Sequence, residues 1–117
     1  MAAQNRKIVR CLGRSLDDLK SFPAAARQEA GHQIDLVQQG LPPDDWKPMP
    51  SVGGGVCEIR IRDEAGAFRV IYVAKIRSAV YILHCFQKKT QRTASLDIEL
   101  ARARFKALLG SRKELET

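Results

Sequence analysis

The sequence predicts an α+β domain in the order β-α-α-β-β-β-α, a twisted sheet with helices packed on it. Three observations carry that expectation. Ala26, Ala30, Ile34 and Val37 recur at helical spacing. Cys57, Ile59 and Ile61 alternate with Glu58, Arg60 and Arg62, as in a half-buried strand. Two nearly unbroken apolar runs follow, Phe68–Ala74 and Ala79–Phe86, which suit strands covered on both faces. The 117 residues suffice for one core and not for two, so residues 1–117 read as a single domain, with 110–117 as a flexible tail.

Each element has a local reason. Lys7–Leu12 is short, partly β-branched and closed by Gly13, which suits a first strand. Ser15-Leu16-Asp17-Asp18 carries a capping signal for a short helix ending near Phe22. Pro23 fits the first turn of a second helix, and Gly40 stops it. Leu41–Pro50 holds four of the five prolines and the only tryptophan, so it reads as a connector, with Trp46 pinning it to the core. Gly53-Gly54-Gly55 is a flexible joint, and Asp63–Gly66 a turn that pairs the flanking strands. Ser95 is expected to cap the last helix, with Asp97 and Glu99 favouring its dipole. Its inward stripe is read as Leu96, Leu100, Ala103 and Ala107, widened by Ile98, Phe105 and Leu108, and Gly110 as its end.

Twenty basic residues against 13 acidic ones give a net charge of +7, which points toward anionic partners. The distribution is sharper than the sum. Between Glu64 and Asp97 stand Arg69, Lys75, Arg77, Lys88, Lys89 and Arg92, with no carboxylate. These cations lie on strand-like segments and not along one amphipathic helix, which disfavours a membrane surface. No run of about 18 apolar residues could span a bilayer, and the first ten residues lack the apolar core of a secretion signal. Cys11, Cys57 and Cys85 lie in or beside apolar runs. Their odd number, the absence of a CxxC pair and the scattered His32 and His84 argue against a disulfide framework or a zinc site. The expectation is a cytoplasmic protein with reduced core thiols and no metal or other cofactor.

Arg69 is the first candidate for chemistry, because its neighbours on its own strand face are Ile71 and Val73 and a guanidinium there needs a partner. Glu58 on an adjacent strand can supply that partner; alternatively Arg69 points into a cleft and meets a phosphate. Arg60 and Arg62 share a face with Glu58, which by itself is the ordinary solvent face of a strand. Hairpin pairing would bring that face beside Arg69, and pairing of the next strand would add Lys88 and Lys89. Crowding among cations lowers a lysine pKa and makes a neutral amine more accessible for proton transfer. His84, between Leu83 and Cys85, reads as a hydrogen-bonded core or rim histidine. His32 reads as a surface residue, and Phe86 as core or as a stacking surface for a base.

The order of three phrases, "VCEIRI" (Val56–Ile61), "FRVIYVA" (Phe68–Ala74) and "ILHCFQKKTQRT" (Ile82–Thr93), followed by "IELARARF" (Ile98–Phe105), resembles the RelE/HigB-like toxins of bacterial type II toxin–antitoxin systems. The similarity is greatest to the phage-derived killer-protein branch of the RelE/ParE superfamily, and it covers nearly the whole chain. That branch commonly has a proline where this chain has Ala94. The resemblance implies a small, mainly antiparallel sheet with an N-terminal helical hairpin and a C-terminal helix. It also implies a ribosome-dependent mRNA endoribonuclease that enters the ribosomal A site and inhibits translation, cutting without a metal by attack of a 2′-hydroxyl on the adjacent phosphate. By motif position Arg69, Lys88 and Lys89 would be catalytic and Glu58 would orient the arginine. Arg60, Arg62, Phe86, Gln87, Thr90 and Arg92 would bind RNA. A cognate antitoxin is the implied protein partner. Some members use a tyrosine in the last helix; Phe105 here cannot do acid–base work. The competing reading is a non-catalytic module that keeps only RNA binding or antitoxin binding.

Overall fold

The computed structural model describes residues 6–76 and 78–116, with side chains described as far as Ser111; Arg77, one of the expected cations, lies outside the described residues. The elements are β1 (Ile8–Cys11), α1 (Ser15–Lys20), α2 (Ala24–Gln38), β2 (Trp46–Pro48), β3 (Val56–Asp63), β4 (Gly66–Val73), β5 (Ala79–Lys88) and α3 (Ser95–Glu116). The sheet order is β1-β5-β4-β3-β2. β1 runs parallel to β5, and every other pairing is antiparallel. The expected α+β architecture is present, with one strand more than the sequence suggested.

That extra strand is β2. The Pro-rich segment was expected to be a connector, yet Trp46, Lys47 and Pro48 pair with Ile59, Glu58 and Cys57. An edge strand tolerates proline, because only one side of its backbone needs hydrogen bonds. Trp46 does not pin the segment to the core; it is 43% exposed.

The two faces of the sheet are covered differently. On one, Phe22 joins Ala26, Ala30, Ile34 and Val37 of α2 in packing against Ile59, Ile61, Phe68, Val70 and Ile82. On the other, Ala101 and Phe105 of α3 pack on Val56, Ile71, Val73 and Leu83. Phe68 through Val73 are all buried, as expected of a strand covered on both sides.

The helix ends depart from expectation. Ser15 does not cap α1; its hydroxyl is buried and donates to the Ile82 carbonyl at 3.2 Å. Pro23 is the N-cap residue of α2 and not part of its first turn. Ala94, and not Ser95, opens α3, because its carbonyl accepts from the amide of Ile98. The inward stripe of α3 is also different. Leu96 is 79% exposed and Leu100 39%, Ala103 and Ala107 face solvent, and Ala101 and Phe105 are the buried positions. Leucines four apart form a stripe on either face of a helix, and here the bulkier Ile98–Phe105 stripe won the core. α3 continues through Gly110 to Glu116.

Candidate functional site

α3 covers only part of its sheet face, and the uncovered remainder is where the cations emerge. Along β3 the side chains on this face run Val56, Glu58, Arg60, Arg62, following the period of two. Register aligns them in rows across the sheet. Arg60 stands opposite Arg69, which stands opposite Phe86; Arg62 stands opposite Ala67, which stands opposite Lys88. Three strands thus pass from apolar to cationic at the same level.

Arg60, Arg62, Arg69, Lys88, Lys89 and Thr90 line one open cleft of about 420 Å³. Arg69 is its most enclosed member, only 4% exposed. Its Nη1 donates to the Phe68 carbonyl at 3.0 Å, and its Nε lies 3.6 Å from Oε1 of Glu58. Glu58 is itself buried, and Lys47 Nζ approaches the same carboxylate oxygen at 4.0 Å. Burial pulls the Arg69 pKa down, with Glu58 opposing that shift and Arg60 and Arg62 adding to it. Lys88 is also pushed below the ordinary lysine range, first by desolvation and then by Arg69. The cleft therefore concentrates positive charge around one shielded carboxylate, which suits an anion carrying more than one negative oxygen.

Not every expected residue joins it. Gln87 points to the opposite face of β5, where its amide donates to the Ala65 carbonyl at 2.9 Å. Phe86 is half-buried and stacked on His84, with ring centroids 4.9 Å apart. Thr90 does line it, with its hydroxyl committed to the Arg92 carbonyl, whereas Arg92 faces a neighbouring groove. His84 is the core histidine expected: it is buried, and Nε2 donates to Asp97 Oδ1 at 2.7 Å. That bond ties the first turn of α3 to β5. Arg104 ties the helix further along, donating to the Leu83 carbonyl at 2.8 Å.

The residue that sequence reasoning missed is Lys47. It reaches the cationic face only because β2 pairs with β3, and a segment read as a connector gave it no face at all. The available signal was the short Trp-Lys-Pro run, which an edge strand accommodates. Among the described residues no group of three or more His, Cys, Asp or Glu side chains is placed to hold a metal ion. Cys11, Cys57 and Cys85 are free thiols with pKa values raised by burial. None of the three lines the cleft.

Residues 17–106 match the model of a family described as phage derived protein Gp49-like (DUF891). The chain belongs to this family. The matched span contains every expected site residue from Glu58 to Arg92. Comparison of the Gp49-like chain with functionally curated proteins gives no significant match. Among solved structures, it is similar to an arginine-substituted double mutant of E. coli toxin RelE in the free state, at TM-score 0.61 and 12% identity, over 80% of this chain and 96% of that one. A second likeness is to the RelBE2 toxin–antitoxin complex of Mycobacterium tuberculosis, at TM-score 0.47 and 21% identity, over 71% of this chain and 99% of that one. The Gp49-like chain has a RelE-like fold. No described helix is long and apolar enough to cross a membrane.

Proposed function

We propose that this Gp49-like protein is the toxin of a toxin–antitoxin system and acts as an endoribonuclease on mRNA in the ribosomal A site. One observation carries the reading: Arg60, Arg62, Arg69, Lys88 and Lys89 converge on an open cleft where α3 leaves the sheet bare. The RelE-like fold supports it, as do the motifs shared with RelE/HigB-like toxins. A cognate antitoxin is the corresponding protein partner, and the cytoplasm the corresponding compartment.

The chemistry follows from the side chains. Arg69, oriented by Glu58, and Arg60 neutralise the scissile phosphate and the charge that builds on it in the transition state. The amine of Lys88, already biased toward the neutral form, takes the proton of the ribose 2′-hydroxyl. The 2′-oxygen bonds to phosphorus as the bond to the 5′-oxygen breaks, and protonated Lys89 donates to that leaving oxygen. The products are a 2′,3′-cyclic phosphate and a 5′-hydroxyl. RNA-binding roles belong to Arg62 and Arg92; Phe86 offers a partly exposed ring in register with Arg69, whereas Gln87 and Thr90 contribute chiefly to the shape of the strand end.

Induced expression should arrest growth, and purified protein should cut mRNA in a reconstituted translation system. Arg69→Ala should lower cleavage by about 10²-fold or more. Unimpaired growth together with intact mRNA would sink the enzyme reading. A second reading is favoured by the commitment of His84 to Asp97, which leaves the cleft without an imidazole: a module that binds RNA or antitoxin without cutting. Under it, Arg69→Ala and Lys89→Ala weaken salt-sensitive binding, with no cleavage to lose.

A further inference from the structure

The cleft does not end at Lys88. A second groove, of about 550 Å³, opens beyond it between β2 and the segment that leads into α3, and Lys88 and Gln91 line both hollows. Met49 and Ile98 give the second groove an apolar lining, Lys47 and Arg92 give it charge, and among the described residues no carboxylate lines it. Its walls are fixed. Arg102 of α3 donates from Nε and Nη2 to the Ser51 carbonyl at 2.9 and 2.6 Å, and β2 is held to β3 by the pairing of Lys47 with Glu58.

We infer that this groove is a second RNA subsite, holding the nucleotide adjacent to the one whose phosphate lies at Arg69. The inference rests on the RNA reading above and adds Lys47 to the residues that act on substrate. A nucleotide is an apolar base and ribose joined to a charged phosphate. An apolar floor with a cation on each side matches that unit, where a bare phosphate site would need no floor. Continuity through Lys88 and Gln91 makes the occupant the same strand as in the cleft. Lys47 then has two partners: it approaches Glu58 from one side and offers its ammonium to the flanking phosphate on the other. The apolar floor carries no base-edge code, so this subsite lengthens the grip on RNA more than it selects sequence.

The test uses 2′-O-methyl oligouridylates, which cannot be cut, from dinucleotide to hexanucleotide, competing with a fluorescein-labelled hexanucleotide at several salt concentrations. Wild-type protein should bind the hexanucleotide more tightly than the dinucleotide. Arg92→Ala should remove much of that length advantage and reduce the salt slope by about 0.7, the loss of one single-strand phosphate contact. Lys47→Gln should do the same, and in both variants the loss of affinity should be smaller for the dinucleotide than for the hexanucleotide. Arg92 is exposed and touches neither Glu58 nor Arg69, so its variant tests the subsite with the cleft intact. Unchanged hexanucleotide affinity in both variants, with Arg69→Ala losing all lengths, overturns the subsite and leaves the RNA reading standing. Absence of binding by wild-type protein, or wild-type binding by Arg69→Ala, overturns both.

Discussion

Nε of Arg69 lies 3.6 Å from Oε1 of Glu58, close enough for strong attraction and too far for a hydrogen bond. Both side chains are almost wholly buried, at 5% and 1% exposure, and Oε2 of Glu58 and Nε of Arg69 find no hydrogen-bond partner among the described residues. The pair holds charge in place without exhausting it. Phe68 takes one terminal nitrogen of the guanidinium through its carbonyl, and Arg69 still lines the cleft. An arginine buried this deeply stays near the phosphate position by virtue of its neighbours, so little rotamer freedom is lost when an anion arrives.

Breaking that pair should therefore cost stability as well as function. Glu58→Gln leaves the guanidinium buried without its nearest carboxylate, Asp45 compensating more weakly, and Arg69→Gln leaves the Glu58 carboxylate beside the more distant Lys47. Each single change should lower the unfolding free energy by about 3–5 kcal/mol. Glu58→Met combined with Arg69→Met removes both charges and should recover most of that loss while remaining unable to cleave or bind RNA. Urea unfolding of the three variants checks the prediction; double-mutant losses equal to the sum of the singles would show the two residues to be independent.

Lys88 should show the opposite balance. Its pKa is lowered by desolvation and by Arg69, so folding disfavours the ammonium. In the pH window between the lowered value and the ordinary 10.5, the unfolded chain binds more protons than the folded one, and stability rises with pH through that window. Below it the full penalty is present. Lys88→Gln removes the penalty and should raise the melting temperature at pH 7 while abolishing cleavage. Lys88→Arg keeps the charge and cannot surrender the proton, so it separates the two roles. If Lys88 transfers a proton, cleavage by Lys88→Arg should fall by roughly 10²–10⁴-fold. A loss of under about tenfold would assign Lys88 to charge alone.

The parts of the fold written in short-range pattern were legible in the sequence. The period-two alternation around Ile59, the apolar runs of β4 and β5, and the helical spacing of Ala26 to Val37 each report burial directly, and the structure has each where the pattern put it. What stayed hidden was pairing between distant segments. Little beyond the short Trp-Lys-Pro run marks Trp46–Pro48 as a strand, because its hydrogen bonds are supplied by β3. The choice between two apolar stripes on α3 is likewise made by the sheet, which accepts Phe105 beside Gly53 and leaves Leu96 in water. In the candidate site, the face shared by Arg60, Arg69 and Lys88 followed from alternation and one hairpin, but Gln87 was misplaced because a phrase of neighbouring polar residues ignores the alternation that puts Gln87 and Lys88 on opposite faces.

His84 and Asp97 make a further prediction about how α3 is docked. The imidazole Nε2 donates to a carboxylate at 2.7 Å from a buried position, and Asp97 sits in the first turn of the helix, where negative charge is favoured. Asp97→Ala leaves the ring's donor without a partner and should cost about 1.5–3 kcal/mol. The loss should be felt first at the start of α3, so amide hydrogen exchange should accelerate there more than in α2. Uniform acceleration through both helices would mean that the bond contributes to global stability and not to docking.

Gly53 offers the sharpest test of the packing beneath α3. Its backbone is open to any residue, yet a Cβ built there runs into the edge of the Phe105 ring, while a Cβ at the adjoining Gly54 would meet open space. Phe105 is buried in the cluster that holds α3 on the sheet, so the ring cannot simply swing away. Gly53→Ala should destabilise by about 1–3 kcal/mol through overpacking. Gly54→Ala, which restricts the unfolded chain without a clash, should be neutral or stabilising by roughly 0.4–1 kcal/mol. Trimming the ring in Gly53→Ala/Phe105→Leu should give a double mutant more stable than the summed losses imply, with a coupling of about 0.5–3 kcal/mol. Thermal and urea unfolding of these variants measure it directly. Additive losses would show that the loop carrying Gly53 yields and the Phe105 ring stays where it is.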